Sequence, residues 1–370
     1  MNHALIVGAG IAGLSTAWAL VRRGWTVTIL ERGPLPNPLA ASSDHHRLIR
    51  WHYSDRVGYA ARMGEAFAAW DDLWSDLGTR HYVETGVLAL STLEGDWTEV
   101  SCRTLDALGV PHERLSVADA IARFPHLDPD LDARFASFTP TGGALMANRI
   151  MASLADWLRA AGGEIHTDTP VTSVDPFTGS ATTADGTVFR ADTLVVSSGV
   201  GAPAFGLPGA PDLVPTGSTI VYARPPADLE QAWEKAPCWV DLGGHDDLWG
   251  IAPVDGLPAK LGMGILSVPG DPETERIATQ ERVARILGAY RGRFRSIERF
   301  SVETAQRNFY ATAPEGRFVL KRADRAVLLS ADSGHGFKFG ALTGLDAAEA
   351  IAEPDRFESV ARRMAGLAAG

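Results

Sequence analysis

Ala4-Leu5-Ile6-Val7-Gly8-Ala9-Gly10-Ile11-Ala12-Gly13 opens the chain's architecture, with a helical run Leu14–Arg23 behind it and Glu31 closing a second apolar run. Ala4–Val7 has the short continuous apolar character of a buried parallel strand. The helix carries Leu14, Ala17, Trp18 and Val21 on one face, and Gly24 is placed to stop it. Trp25–Leu30 reads as the next strand. In this G-x-G-x-x-G, Gly8 makes the tight turn, Gly10 admits a pyrophosphate to the backbone, and Gly13 lets helix and strand pack closely. The helix N-terminus, at Ile11 and Ala12, supplies the positive end of a dipole. Glu31 lies 23 positions after Gly8, where an acid accepts hydrogen bonds from two ribose hydroxyls and repels a 2′-phosphate. Strand, helix, strand and acid in that order specify a dinucleotide, FAD or NAD rather than NADP.

The remainder of the chain is that of a globular protein. Its 370 residues suffice for two to three domain-sized units. The net charge of −11 argues against nucleic acid or an anionic membrane surface as a partner. Cys102 and Cys238 offer neither a disulfide framework nor metal-ligand spacing, so no metal is expected and the setting is expected to be reducing. No apolar run approaches the roughly 18–20 residues of a membrane span, and the N-terminus lacks a basic, cleavable segment. A cytoplasmic, monomeric protein that avoids membranes is the expectation.

Further helices are expected over Ala60–Leu77, Thr98–Leu108, Ser116–Arg123, Met151–Ala161 and Thr274–Gly288. Tyr82–Leu90, Val171–Val174, Ala181–Phe189 (around an Asp185-Gly186 turn), Leu194–Ser197 and Ala326–Leu329 read as strands. Gly217–Leu266, rich in Gly, Pro and aromatics, reads as β-structure outside the nucleotide sheet. The fold class is α/β, a Rossmann-like dinucleotide-binding domain with a second α+β domain on an antiparallel sheet.

Several distant segments share one resemblance: the N-terminal fingerprint, Arg47-x-x-Arg50, Ala191–Gly199, Lys260-Leu261-Gly262, and Ser333-Gly334-His335-Gly336-Phe337-Lys338-Phe339. Together they resemble the D-amino-acid-oxidase superfamily of FAD-dependent oxidoreductases, in its monomeric sarcosine oxidase and N-methyltryptophan oxidase branch. The resemblance implies an FAD-binding domain from residues 1–82, 141–210 and 315–370, and a substrate-binding domain from 83–140 and 211–314. It places the cofactor against Gly8, Gly10, Ile11, Ala12, Gly13, Glu31, Arg32, Ser42, Ser43, Arg47, Val171, Ser198, Gly199, Gly334, His335, Gly336, Phe337 and Lys338.

The same resemblance implies a catalytic set of Arg50, Lys338, Lys260, Tyr310 and Trp249. Arg50 and Lys338 would hold a substrate carboxylate, the arginine through its planar fork. Lys260, in a segment with no other charge, would promote reaction with oxygen by stabilising superoxide. Tyr310 matches a pocket tyrosine. Trp249 stands where the family has a pocket tyrosine, and Gly264 where sarcosine oxidase has a histidine, so the pocket should be less polar and suit a bulkier or aromatic amine. Asn308 replaces the family's flavin-linking cysteine, so the FAD should be noncovalent. The implied activity is oxidation of a secondary amine or an N-substituted or cyclic amino acid to an imine, with O2 reduced to H2O2. A dehydrogenase of the same fold using another acceptor, or a nucleotide-binding module without turnover, stays open on the residues alone.

Overall fold

In the computed structural model, which describes residues 2–367, the strand before the glycine cluster lies inside a six-stranded sheet. The strand order is Val319–Ala323, Ala326–Ser330, Thr193–Val196, His3–Val7, Thr26–Leu30, Glu164–His166, and all neighbours are parallel except the first pair. Successive side chains on a strand point to opposite faces, which divides the apolar runs between two cores. Ala4, Ile6, Val27, Ile29, Val195 and Val327 join the core beneath the helices Ile11–Arg22, Met63–Leu77, Ala147–Ala160 and Gly340–Ala352. Leu5, Val7, Leu30, Leu194, Val196 and Leu328 face the other way. That face is covered by the meander Val171–Asp175, Ser180–Thr183, Val188–Arg190. Burial on both faces is why these strands read as continuous apolar runs.

A nine-stranded sheet forms the second half, and its longest pairing joins Val214–Arg224 to Ser301–Thr312. One face carries Val221, Leu261 and Met263 into an aromatic core with Trp233, Trp239, Tyr290 and Phe294. On the opposite face the register sets Tyr222 beside Lys260, and Ile220 and Trp249 beside Gly262. A Cβ on Gly262 would come within 2.4 Å of the Trp249 indole, so this glycine makes room for that ring. The α/β class expected from the sequence is the one observed.

Three expected elements differ. Ala60–Leu77 is two helices, Val57–Ala61 and Met63–Leu77, divided at Arg62, whose guanidinium bonds Asp346 at 2.7 Å. Tyr82–Leu90 breaks into Tyr82–Glu84 and Val87–Ser91, which belong to different sheets. Gly86 between them has φ +72°, and a Cβ there would lie 2.4 Å from Phe138. The helix expected from Thr274 begins only at Gln280, capped by the Thr279 hydroxyl, because Asp271 draws Glu273 N–H and the Thr274 hydroxyl into a turn of its own.

Candidate active site

The glycine cluster lines a cavity of about 310 Å³ at the C-terminal ends of the parallel strands. Gly8 turns at φ +104°, and a Cβ there would meet the Ser197 carbonyl oxygen at 2.7 Å. A Cβ on Gly13 would lie 2.0 Å from the Gly8 oxygen, so Gly13 acts by packing and is not itself exposed to the cavity. Gly8, Gly10, Ile11, Ala12, Glu31, Arg32, Ser42, Val171, Ser198 and Gly199 all line the cavity. Glu31, 6% exposed, accepts hydrogen bonds from Ala9 N–H (2.8 Å) and the Asn37 side chain (2.8 Å). The Ile11 N–H at the helix N-terminus donates to Ser42 Oγ at 2.9 Å. Ser198 Oγ and Ser330 Oγ are buried at this cavity and unpartnered among the described residues. A side-chain-free cradle, an N-terminal dipole, an acid and two orphan hydroxyls fit a dinucleotide. Ser43 is a correction: its hydroxyl bonds Asn148 at 3.2 Å and it lines neither cavity, because the loop turns it toward the helix Ala147–Ala160.

A second cavity, about 430 Å³, lies between the two sheets and shares Ala41, Phe309, Asp332 and Phe337 with the first. That volume is in the ordinary range for small-molecule sites, roughly 300–1,000 Å³. It is lined by Arg47, Arg50, Trp249, Lys260, Tyr310 and the Gly334–Lys338 run, residues from both ends and the middle of the chain. Two glycines are demanded by geometry. A Cβ on Gly336 would sit 1.8 Å from the Ala331 oxygen, and Gly334, at φ +77°, packs against the Tyr310 ring. Arg50 is enclosed between the rings of Tyr53 (4.7 Å) and Trp97 (5.3 Å), and its Nη1 has no hydrogen-bond partner among the described residues. Lys338 is 6% exposed and, among the described residues, donates only to the His335 carbonyl at 3.2 Å. Burial, with the charges of Arg50 and Arg47, pushes its pKa well down. His335 stacks on Phe318 at 4.6 Å and bonds the Gly316 oxygen at 3.0 Å, a packing role at the cavity wall.

Lys260 is not the lone charge its own segment suggests. Its Nζ lies 2.5 Å from Oδ2 of Asp44, a residue 216 positions away. Arg47 binds the same carboxylate at 2.8 Å, and the Tyr222 hydroxyl donates to its other oxygen. Burial lowers the Lys260 pKa to about 8, against the raising effect of Asp44. Burial raises the Asp44 pKa, but Arg47 and Lys260 outweigh it and hold the carboxylate well below its ordinary range. Arg47 thus lines the cavity while bound to protein rather than standing free for a ligand.

The pocket is also more polar than Trp249 and Gly264 imply. The space opened at Gly264 is filled by Asp247, whose Oδ2 would lie 1.8 Å from a Cβ at that position. Asp332, at the junction of the two cavities, has its pKa raised to about 6 by burial. None of the three acids, Asp44, Asp247 and Asp332, was selected from the sequence. Asp44 had a local signal, the i,i+3 spacing to Arg47; Asp247 had none.

A family model described as DAO, FAD dependent oxidoreductase, matches residues 3–350. The chain is 26% identical over 366 residues to peroxisomal sarcosine oxidase of Mus musculus, covering 92% of this chain and 90% of that one. It is 23% identical over 350 residues to N-methyl-L-tryptophan oxidase of Yersinia pestis, covering 92% of each. Among solved structures it superposes on NikD, an amino acid oxidase essential for nikkomycin biosynthesis. The TM-score is 0.81 at 22% identity, over 96% of this chain and 95% of NikD.

Proposed function

The chain belongs to the family of FAD-dependent oxidoreductases, and from that premise we propose that it oxidises a secondary, N-substituted or cyclic amino acid to an imine, with oxygen as the final acceptor and hydrogen peroxide as co-product. The observation that carries this reading is the pair of basic side chains, Arg50 and Lys338, on one cavity. Neither forms an ion pair with a carboxylate among the described residues. An enclosed charge without a counter-charge is strongly disfavoured, so a bound carboxylate accounts for both. The names of the mouse and Yersinia relatives support an N-substituted amino acid.

We assign residues 1–82, 141–210 and 315–370 to FAD binding and 83–140 and 211–314 to substrate binding. Gly8, Gly10, Ile11, Ala12, Glu31, Arg32, Ser42, Val171, Ser198 and Gly199 would hold the nucleotide end, with Gly13 packed behind them, and Gly334–Lys338 the ring end, beside the Asp44-bound Arg47. FAD bound there would supply the two-electron redox chemistry of the reaction. Arg50 holds the carboxylate through its fork, Lys338 meets it from the other side, and Tyr310 and Trp249 form the walls. Lys260, itself buried and held by Asp44, would keep a positive charge where superoxide charge develops. Asn308 lines the cavity, and neither Cys102 nor Cys238 reaches either cavity, which supports noncovalent FAD. A panel of N-methyl, cyclic and primary amino acids scored for peroxide tests the reading. Reduced flavin that reoxidises in air over minutes rather than seconds would make the enzyme a dehydrogenase.

A further inference from the structure

We infer that Asp247 recognises the substrate amine in its ammonium form, so that the second cavity selects a zwitterion over a plain carboxylate or a plain amine. This deepens the proposed function and rests on it.

Once Arg50 and Lys338 are given to the substrate carboxylate and Arg47 and Lys260 to Asp44, three charged groups remain on the lining: Arg56, which donates to the Gly316 and Glu315 carbonyls, Asp332, which accepts the Ala311 N–H, and Asp247. Asp247 lines the same wall as Arg50, Trp249, Gly264 and Tyr310. Its backbone sits at φ +48°, a left-handed conformation that Asp adopts more readily than most residues. Its carbonyl accepts the Gly264 N–H at 2.8 Å, and its carboxylate occupies the volume that any side chain at 264 would need. The carboxylate is therefore placed by two local constraints. It nonetheless has no hydrogen-bond or ion-pair partner among the described residues. Asp247 is exposed and lines the cavity, so its carboxylate is open to a ligand seated there. The titratable groups that face it are Arg50, Asp241, Tyr290 and Tyr310, of which only Arg50 carries the opposite charge.

Charge counting then selects the ligand. A plain carboxylate on Arg50 and Lys338 leaves Asp247 unpaired and adds an anion beside it. A plain amine pairs with Asp247 and leaves both cations unpaired. An α-amino acid, with its ammonium one carbon from its carboxylate, satisfies all three groups together.

The test uses the FAD-loaded enzyme, mixed anaerobically with two isosteric probes, sarcosine and methoxyacetate, and reads the concentration dependence of the first flavin spectral change. The wild type should bind sarcosine about tenfold or more tightly than methoxyacetate, the scale of a hydrogen bond between charged groups. Asp247→Asn should abolish that preference by weakening sarcosine and leaving methoxyacetate unchanged or tighter. Acidifying the wild type should do the same without a substitution, since a protonated Asp247 loses its attraction for the ammonium. Equal affinities for the two probes in the wild type, or an Asp247→Asn variant that keeps the preference, overturns the inference. Lys338→Ala separates the two proposals. If it weakens methoxyacetate while Asp247→Asn has no selective effect, the clamp stands and the ammonium site falls; if methoxyacetate fails to bind or ignores Lys338→Ala, the clamp falls.

Discussion

Lys260 Nζ and Asp44 Oδ2 meet at 2.5 Å with almost no solvent exposure on either side chain, joining a strand of the second sheet to the loop after the dinucleotide motif. Arg47 closes on the same carboxylate, so two cations share one anion and the cluster keeps a net positive charge. Because burial lowers the Lys260 pKa to about 8, the ammonium is present below that pH and lost above it. Flavin reoxidation by oxygen should therefore slow as pH rises through about 8, while reduction by substrate does not share that ionisation. Lys260→Met should slow reoxidation about 10²–10³-fold, the usual cost of one preorganised donor, and flatten its pH profile. Stopped-flow measurement of both half-reactions decides it; equal slowing of the two would make Lys260 a substrate-binding or structural residue.

Asp44→Asn should be expensive in stability. Removing one partner of a buried pair typically costs about 3–5 kcal/mol, read here by urea denaturation. Asp44 has a depressed folded pKa, so its contribution is present above the ordinary value of 3.8 and is lost as pH falls below it. Lys260 acts with the same sign in a higher window: its lowered pKa makes stability rise with pH between about 8 and 10.5. The variant should accordingly show a shallower acid limb than the wild type.

FAD should leave the polypeptide on acid precipitation, because Asn308 supplies no sulfur and both cysteines lie buried outside the two cavities. Flavin fluorescence that stays with the protein band on a denaturing gel would contradict the alignment at Asn308.

Two glycine substitutions should separate fold from cofactor. Gly13→Ala forces a methyl group to 2.0 Å from a backbone oxygen and should damage folding itself. Gly10→Ala meets only the Ser42 hydroxyl, at 3.2 Å, and should leave the fold intact while weakening FAD. Thermal melts with and without added FAD compare them; equal melting losses in both variants would contradict the assignment of Gly10 to the cofactor.

What the sequence disclosed followed the range of its interactions. Gly8 to Glu31 form one local unit, and its strand, tight turn, helix and strand follow one another in the order that the local sequence predicts. The split of Tyr82–Leu90 turns on Gly86 meeting Phe138, and the break at Arg62 turns on Asp346; both contacts are made across the fold, so local periodicity carries no trace of them. The same distance hid Asp44 as the partner of Lys260. Asp247 was hidden differently, since the mark of its place is a missing side chain at Gly264, which by sequence reads only as a lost histidine. Ser43 shows the converse failure, a residue next to a true lining position that the loop turns away.

The amino-acid assignment depends on the carboxylate clamp, and one comparison reaches it directly. An amino acid that turns over should be set against its decarboxylated amine, with wild type and Lys338→Ala, by the rate of anaerobic flavin reduction against concentration. The account predicts that the amine is a far poorer substrate and that Lys338→Ala weakens the amino acid by about 1.5–3 kcal/mol, the range for a hydrogen bond to a charged group, while barely altering the amine. An amine oxidised as well as its amino acid, with neither affected by Lys338→Ala, would contradict it.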